Sequence, residues 1–237
     1  MKAAKMAKKQ YFALVDTETT IANTVADFGI VICDRKGEIV KQCAVMVQGH
    51  FDTFDLFYDP KDNGFWGKIA AEKRKADYLV MLNDGRRMAA SVGAINKWIA
   101  QAIGAYNPIL SAYNLPFDTD KCAKTGIDLT GFRDRFCLWA ASVGNICKSK
   151  QYRQFCLENH LFNSPTENRN MTYKTNAEAV AGFLEGEFKE EPHTAIEDAV
   201  YFELPILKHI LKKRDWKDKI QPYNWREFQV KDSFSAK

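Results

Sequence analysis

The apolar run Tyr11–Val15 leads into Asp16-Thr17-Glu18-Thr19-Thr20-Ile21, and this junction constrains the chain more than any other segment. The run reads as a buried strand. Strand side chains repeat every two residues, so Asp16 and Glu18 leave it on the same face. Two buried carboxylates side by side repel, and they are costly to desolvate unless a cation joins them. Oxygen-only ligands suit Mg²⁺ or Mn²⁺. Asp and Thr also build helix caps and turns. With 17 Asp and 13 Glu in 237 residues, chance supplies roughly one Asp-x-Glu pair, and one occurs. Spacing alone leaves both readings open.

The length fits a single domain, and 46% hydrophobic with 27% charged residues is ordinary for a globular protein with a sizeable core. We expect a basic tail at 1–10, a catalytic core at 11–214 and a basic, aromatic C-terminal extension at 215–237. No apolar stretch is long enough to span a bilayer, and the first ten residues carry Lys2, Lys5, Lys8 and Lys9 with no export-signal core. Six cysteines with no Cys-x-x-Cys pair read as reduced thiols, so a cytoplasmic protein is expected. Cys147, Cys156 and His160 lack an evident fourth zinc ligand, and Phe155, Cys156 and Leu161 read as a core stripe. The net charge of +4 is spread over basic groups at Lys68–Lys75, Arg86–Arg87 and Lys208–Lys219, each of which also suits a solvated helix face.

Strands are expected at 11–16, 27–33 and 38–48, with a hairpin turn at Asp34-Arg35-Lys36-Gly37. Helices at 67–80 and 91–103 follow, then a strand at 108–113, a helix at 118–126 and a strand at 136–141. Helices at 151–159, 176–188 and 194–214 complete the chain, the last kinked or split by Pro205. Strands first, then alternating elements, then helices define an α/β fold with a mixed sheet.

Two later segments bring more acid to such a sheet. Asn114-Leu115-Pro116-Phe117-Asp118 follows a short strand and opens a helix, where Asp118 also complements the helix dipole. His193-Thr194-Ala195-Ile196-Glu197-Asp198 opens the last helix. His50 and Asp55 share the His193–Asp198 spacing but sit in a loop rich in aromatics, and we read them as a decoy.

Asp-x-Glu-Thr after a strand, Asn-x-x-Phe-Asp after a later strand and His-x4-Asp at the last helix occur here in that order. Together they resemble the DEDDh family of 3′→5′ exonucleases, over residues 11 to about 210. The resemblance implies a ribonuclease H-like fold with a five-stranded mixed sheet. It implies two Mg²⁺ or Mn²⁺ ions held by Asp16, Glu18, Asp118 and Asp198, with Asp16 bridging and His193 as general base. It further implies substrate contacts from Thr17, Thr19, Asn114 and Phe117, and single-stranded DNA or RNA 3′ ends as substrate; the motifs do not separate the two, and DNA is slightly favoured on the compactness of the chain. A bacterial or phage origin is the accompanying expectation. Ile21 stands where a Gly is common, Cys122 where a Leu is usual, and Cys137-Leu138-Trp139 replaces a commonly acidic strand end.

The aromatic loop Phe51–Trp66 reads as core packing ahead of base stacking. The stretch Trp216–Phe228 suits a nucleic-acid strand, a protein partner or docking on its own domain. A non-catalytic nucleic-acid-binding or polymerase-accessory module is the alternative to an enzyme.

Overall fold

The computed structural model describes residues 9–59, 64–167 and 170–230. Most of the basic tail, part of the aromatic loop and the last seven residues of the extension lie outside the described residues.

Three antiparallel strands come first: β1 (Tyr11–Thr19), β2 (Val25–Asp34) and β3 (Ile39–Val47). The β2–β3 hairpin closes where expected. Asp34 Oδ1 accepts from the N–H groups of Lys36 and Glu38 at 2.8 and 3.1 Å, and Gly37 takes φ +83°, a conformation only glycine adopts at no steric cost. α1 (Gly64–Asn83) leads to β4 (Met88–Ala90), parallel to β3. α2 (Val92–Tyr106) leads to β5 (Ile109–Ala112), parallel to β1, and α3 (Leu115–Thr125) to β6 (Arg135–Cys137), parallel to β5. The sheet order is β4-β3-β2-β1-β5-β6.

The main sheet therefore has six strands, not the expected five. The added strand is β4, three residues at the edge, too short to show an alternating pattern. The strand expected at Phe136–Ala141 stops at Cys137. α4 (Leu138–Ser142) takes over because Leu138, Ala141 and Ser142, at helical spacing, are the buried positions. α3 begins three residues before expectation, with Pro116 in its first turn, where a missing N–H costs nothing. α5 (Lys150–Glu158), the hairpin β7 (Phe162–Asn163) and β8 (Thr172–Tyr173), and α6 (Ala177–Glu185) come next.

The last helix is continuous across Pro205, through a change of register. It runs as α7 (Ala195–Asp198), a π turn over Ala199–Glu203, and α8 (Leu204–Leu211). In the π turn Leu204 N–H bonds to the Ala199 carbonyl. Pro205, lacking a donor, starts the new register in the first turn of α8.

The sheet is covered on both faces. Phe12 and Leu14 of β1 pack with α4 to α8, while Ala13 and Val15 pack against α2 and α3. The alternation continues past Val15, so Asp16 and Glu18 emerge on the face covered by the last helix. No helix among the described residues is long and apolar enough to cross a membrane.

The aromatic loop divides. Phe51 and Leu56 are buried with Tyr78 in a small core of their own, whereas Phe65 and Trp66 are 71% and 70% exposed. The C-terminal extension docks on its own domain: Trp216 lies edge-on to Phe12, and Phe228 is buried. A Cβ at Gly144 would overlap the Lys219 carbonyl, so only glycine admits this segment.

Candidate metal centre

β1 and β5 run parallel, so their carboxyl ends reach the same edge of the sheet, the usual place for sites in open α/β sheets. β1 delivers Asp16 and Glu18 there. The turn after β5 opens α3, whose first turn carries Asp118. The last helix crosses above. Its approach depends on Gly29, which pairs with Asp16 in the β1–β2 register. A Cβ at Gly29 would lie 2.6 Å from the Ala195 carbonyl carbon and the Ile196 nitrogen. The missing side chain is what lets α7 lie on β2 and bring Asp198 over Asp16.

The result is a cleft of about 200 Å³ lined by Asp16, Glu18, Asp118, Glu191, His193, Asp198 and Glu203, together with Thr17, Asn114 and Phe117. Ligand atoms of Glu18, His193 and Asp198 all lie within 4.8 Å of one another. Every metal-ligating and catalytic residue expected from the sequence is in this cleft. Of the expected substrate contacts, Thr19 is not; it is buried at the end of β1. His50 and Asp55 do not line it either, and Ile21 is solvent-exposed beyond it.

Three of the six carboxylates are each fixed through one oxygen. Thr17 Oγ1 donates to Asp118 Oδ1 at 2.9 Å. Thr194 N–H donates to Asp198 Oδ2 at 3.1 Å, and Tyr113 N–H donates to Glu203 Oε1 at 2.9 Å. Asp16 Oδ2, Asp198 Oδ1 and Glu203 Oε2 are buried without a hydrogen-bond partner. Buried acceptors are normally satisfied, so three orphaned carboxylate oxygens in one cleft are positions that a cation could satisfy.

The electrostatics agree. Burial pushes Asp16 well above the ordinary carboxylate range, reinforced by Glu203, Asp118, Glu18 and Asp198. Burial likewise raises Glu203 well above its usual value, with Asp118 adding to it. Glu18, Asp118 and Glu191 are pushed up to about 7, and Asp198 to about 9, in each case mainly by burial. Arg74 is the offsetting cation, 4.0 Å from Glu18. His193 moves the other way: desolvation first, then Arg74, lowers it below 6.5. Carboxylate oxygens are hard donors of the kind that suit Mg²⁺ or Mn²⁺.

His193 is held by a second, buried network. Asp27, paired with Glu18 in the strand register, accepts from Ala195 N–H and the Tyr78 hydroxyl, both at 3.0 Å. Tyr78 also reaches the His193 carbonyl oxygen at 3.2 Å. Arg87 bridges Asp27, with Nε 3.7 Å from Oδ1, and Glu197. Arg87 thus belongs to the interior and not to a basic surface group. The network holds His193 at φ +55°, a conformation non-glycine residues adopt at some cost.

Glu203 and Glu191 were not expected from the sequence, and Arg74 was expected only as part of the basic group at Lys68–Lys75. Glu203 follows Asp198 by five residues, which on a regular α-helix turns it about 140° away. The π turn closes that angle and puts both carboxylates on one face. Cys147 and Cys156 are buried in the core.

Fold and site together define an α/β protein with a carboxylate cleft at the carboxyl edge of a mixed sheet. No family model matches the chain, and no curated protein matches it.

Proposed function

We propose that this chain is a metal-dependent 3′→5′ exonuclease that removes nucleoside monophosphates from single-stranded nucleic acid. The observation that carries the reading is the trio of orphaned carboxylate oxygens on Asp16, Asp198 and Glu203 beside His193. A ribonuclease H-like fold goes with it. Leaving out edge strand β4, the order β3-β2-β1-β5-β6 is three antiparallel strands continued by two parallel ones. The 3′ polarity follows from the likeness of Asp16–Glu18, Asn114–Asp118 and His193–Asp198 to the DEDDh motifs.

Asp16, Glu18, Asp118 and Asp198 would hold two Mg²⁺ or Mn²⁺ ions. Such a pair supplies water activation and charge for the leaving oxygen. The chain's own residues do the rest. His193, exposed at the mouth and neutral above its lowered pKa, accepts the proton of the attacking water. Arg74 and Tyr78 keep it there: one disfavours its charged form, the other fixes its backbone. Thr17 orients Asp118. Phe117, exposed beside Asp118, offers a ring face to a terminal base.

The test uses 5′-labelled single-stranded DNA and RNA with Mg²⁺, Mn²⁺ or EDTA. The reading expects stepwise shortening from the 3′ end with either metal, none in EDTA, and none from Asp16→Ala. Internal cuts, or shortening that survives Asp16→Ala, would refute it.

A further inference from the structure

A second cavity, of about 400 Å³, adjoins the carboxylate cleft and shares Tyr113, Asn114 and Asn176 with it. The rest of its wall comes from three distant parts of the chain. Trp139 stands at the start of α4, Asn163, Ser164, Thr166, Asn170, Thr172 and Thr175 come from the β7–β8 hairpin region, and Tyr223 and Trp225 come from the C-terminal segment. Among the described residues lining it, all are amides, hydroxyls or aromatic rings, and none carries a formal charge. The neighbouring cleft holds six carboxylates.

The aromatic wall is built in advance. Trp139 stacks on Tyr223 at 5.2 Å and 26°, and Tyr223 stacks on Phe228 at the same spacing and angle. Trp139 Nε1 donates to Thr175 Oγ1 at 3.0 Å, and the Tyr113 hydroxyl donates to the Thr175 carbonyl at 2.6 Å. The C-terminal segment that supplies Tyr223 and Trp225 is itself anchored. Gln221 N–H donates to the Ala140 carbonyl at 3.2 Å, and Lys148 pairs with Glu227 at 2.6 Å.

We propose that this cavity is a nucleobase-binding subsite for a nucleotide adjoining the reacting phosphate. The proposal rests on the phosphodiesterase reading of the cleft. A strand bound there has two chemically distinct parts. The charged phosphates belong at the cations of the cleft, since none of the described residues lining this cavity is cationic. Tyr223 is sandwiched between Trp139 and Phe228, so the flat, neutral bases find the rings of Trp139 and Trp225 that line the cavity, and amides, which both donate and accept. The volume lies within the range of ligand clefts. It also accounts for the C-terminal segment, which docks with Trp216 and Phe228 while turning Tyr223 and Trp225 toward the cavity.

Photo-cross-linking tests this on the intact chain. Single-stranded oligonucleotides carry 5-bromouracil at the terminal, the penultimate or a distant position, and Ca²⁺ replaces Mg²⁺. The expected adducts, mapped by mass spectrometry, are on Trp139, Tyr223 or Trp225 for the two 3′-proximal positions only. Adducts confined to other aromatics, such as Phe65 and Trp66, would overturn the proposal. Kinetics give the second reading. Trp225→Ala should raise KM for an oligonucleotide about tenfold more than KM for the same oligonucleotide with its two 3′-proximal sugars abasic, which has no base to stack there. Equal changes on both substrates would overturn the subsite. Wild-type protein hydrolysing neither oligonucleotide would refute the phosphodiesterase reading, and the adduct map would still decide the subsite.

Discussion

Gly29→Ala is the sharpest perturbation of the site, because it adds one methyl group and alters none of the residues that line the cleft. That methyl would sit 2.6 Å from the Ala195 carbonyl carbon and the Ile196 nitrogen, where ordinary contact begins at 3.4 Å. α7 must then retreat by about 0.8 Å, and both obstacles are backbone, so no side chain can swing aside. Overpacking of this kind costs roughly 1–3 kcal/mol, or about 2–4 °C of Tm per kcal/mol in a chain this size. The larger effect falls on geometry. Asp198 and His193 ride on the retreating element, while Asp16 and Glu18 stay on β1, and a misplacement near 1 Å costs on the order of 100-fold in rate. Mn²⁺ titration calorimetry and a nuclease assay measure both consequences. Gly104→Ala is the control: it lies in α2 with nothing within 4 Å of its added Cβ, and helix propensity makes it stabilising by about 0.5–1 kcal/mol. Unchanged Mn²⁺ affinity and activity in Gly29→Ala would refute the idea that this glycine sets the spacing of the site.

Other outcomes follow from the same geometry. Glu18, Asp118 and Glu191 are raised to about 7 and Asp198 to about 9, so folding takes up protons above their unfolded values near 4. Their contribution to the metal-free protein is therefore fullest below about pH 4 and is lost as pH rises through 7 to 9. Because cations must displace those protons, the Tm gain from Mn²⁺ should grow from pH 6 to pH 9; a flat gain would contradict this. His193→Ala should keep most Mn²⁺ affinity and lose on the order of 10²–10⁴-fold in kcat, as stopped-flow or single-turnover assays would report. Arg87→Ala strands buried Asp27 and should cost about 3–5 kcal/mol at pH 8 by urea unfolding. That loss should shrink at pH 5, since Asp27, at about 6, is then protonated. Glu203→Gln keeps the bond from Tyr113 N–H and should raise stability in EDTA at pH 8 by removing a charge beside Asp16; a fall in Tm would contradict the assigned repulsion.

Much of the sheet and the acidic set were legible because they rest on local patterns. The apolar run before Asp16, the turn at Asp34–Gly37 and the proline opening α3 each act within a few residues. What escaped depends on distant contacts. β4 is too short to signal itself and forms because β3 offers an edge. Glu203 joins the site only through the π turn that precedes Pro205. Asp27 and Arg87 become buried partners only when β2 meets the end of α1 and the start of the last helix. Gly29 gives no turn signal, since its role is to leave room for a helix 166 residues later, at Ala195.

In the proposed enzyme the orphaned carboxylate oxygens of the cleft bind cations. Counting bound Mn²⁺ by electron paramagnetic resonance, at pH 8 on wild type and on Asp16→Ala, tests it most directly. The account predicts two ions per chain in the wild type and loss of at least one from Asp16→Ala. No bound Mn²⁺ in the wild type, or the same count in both proteins, would contradict it.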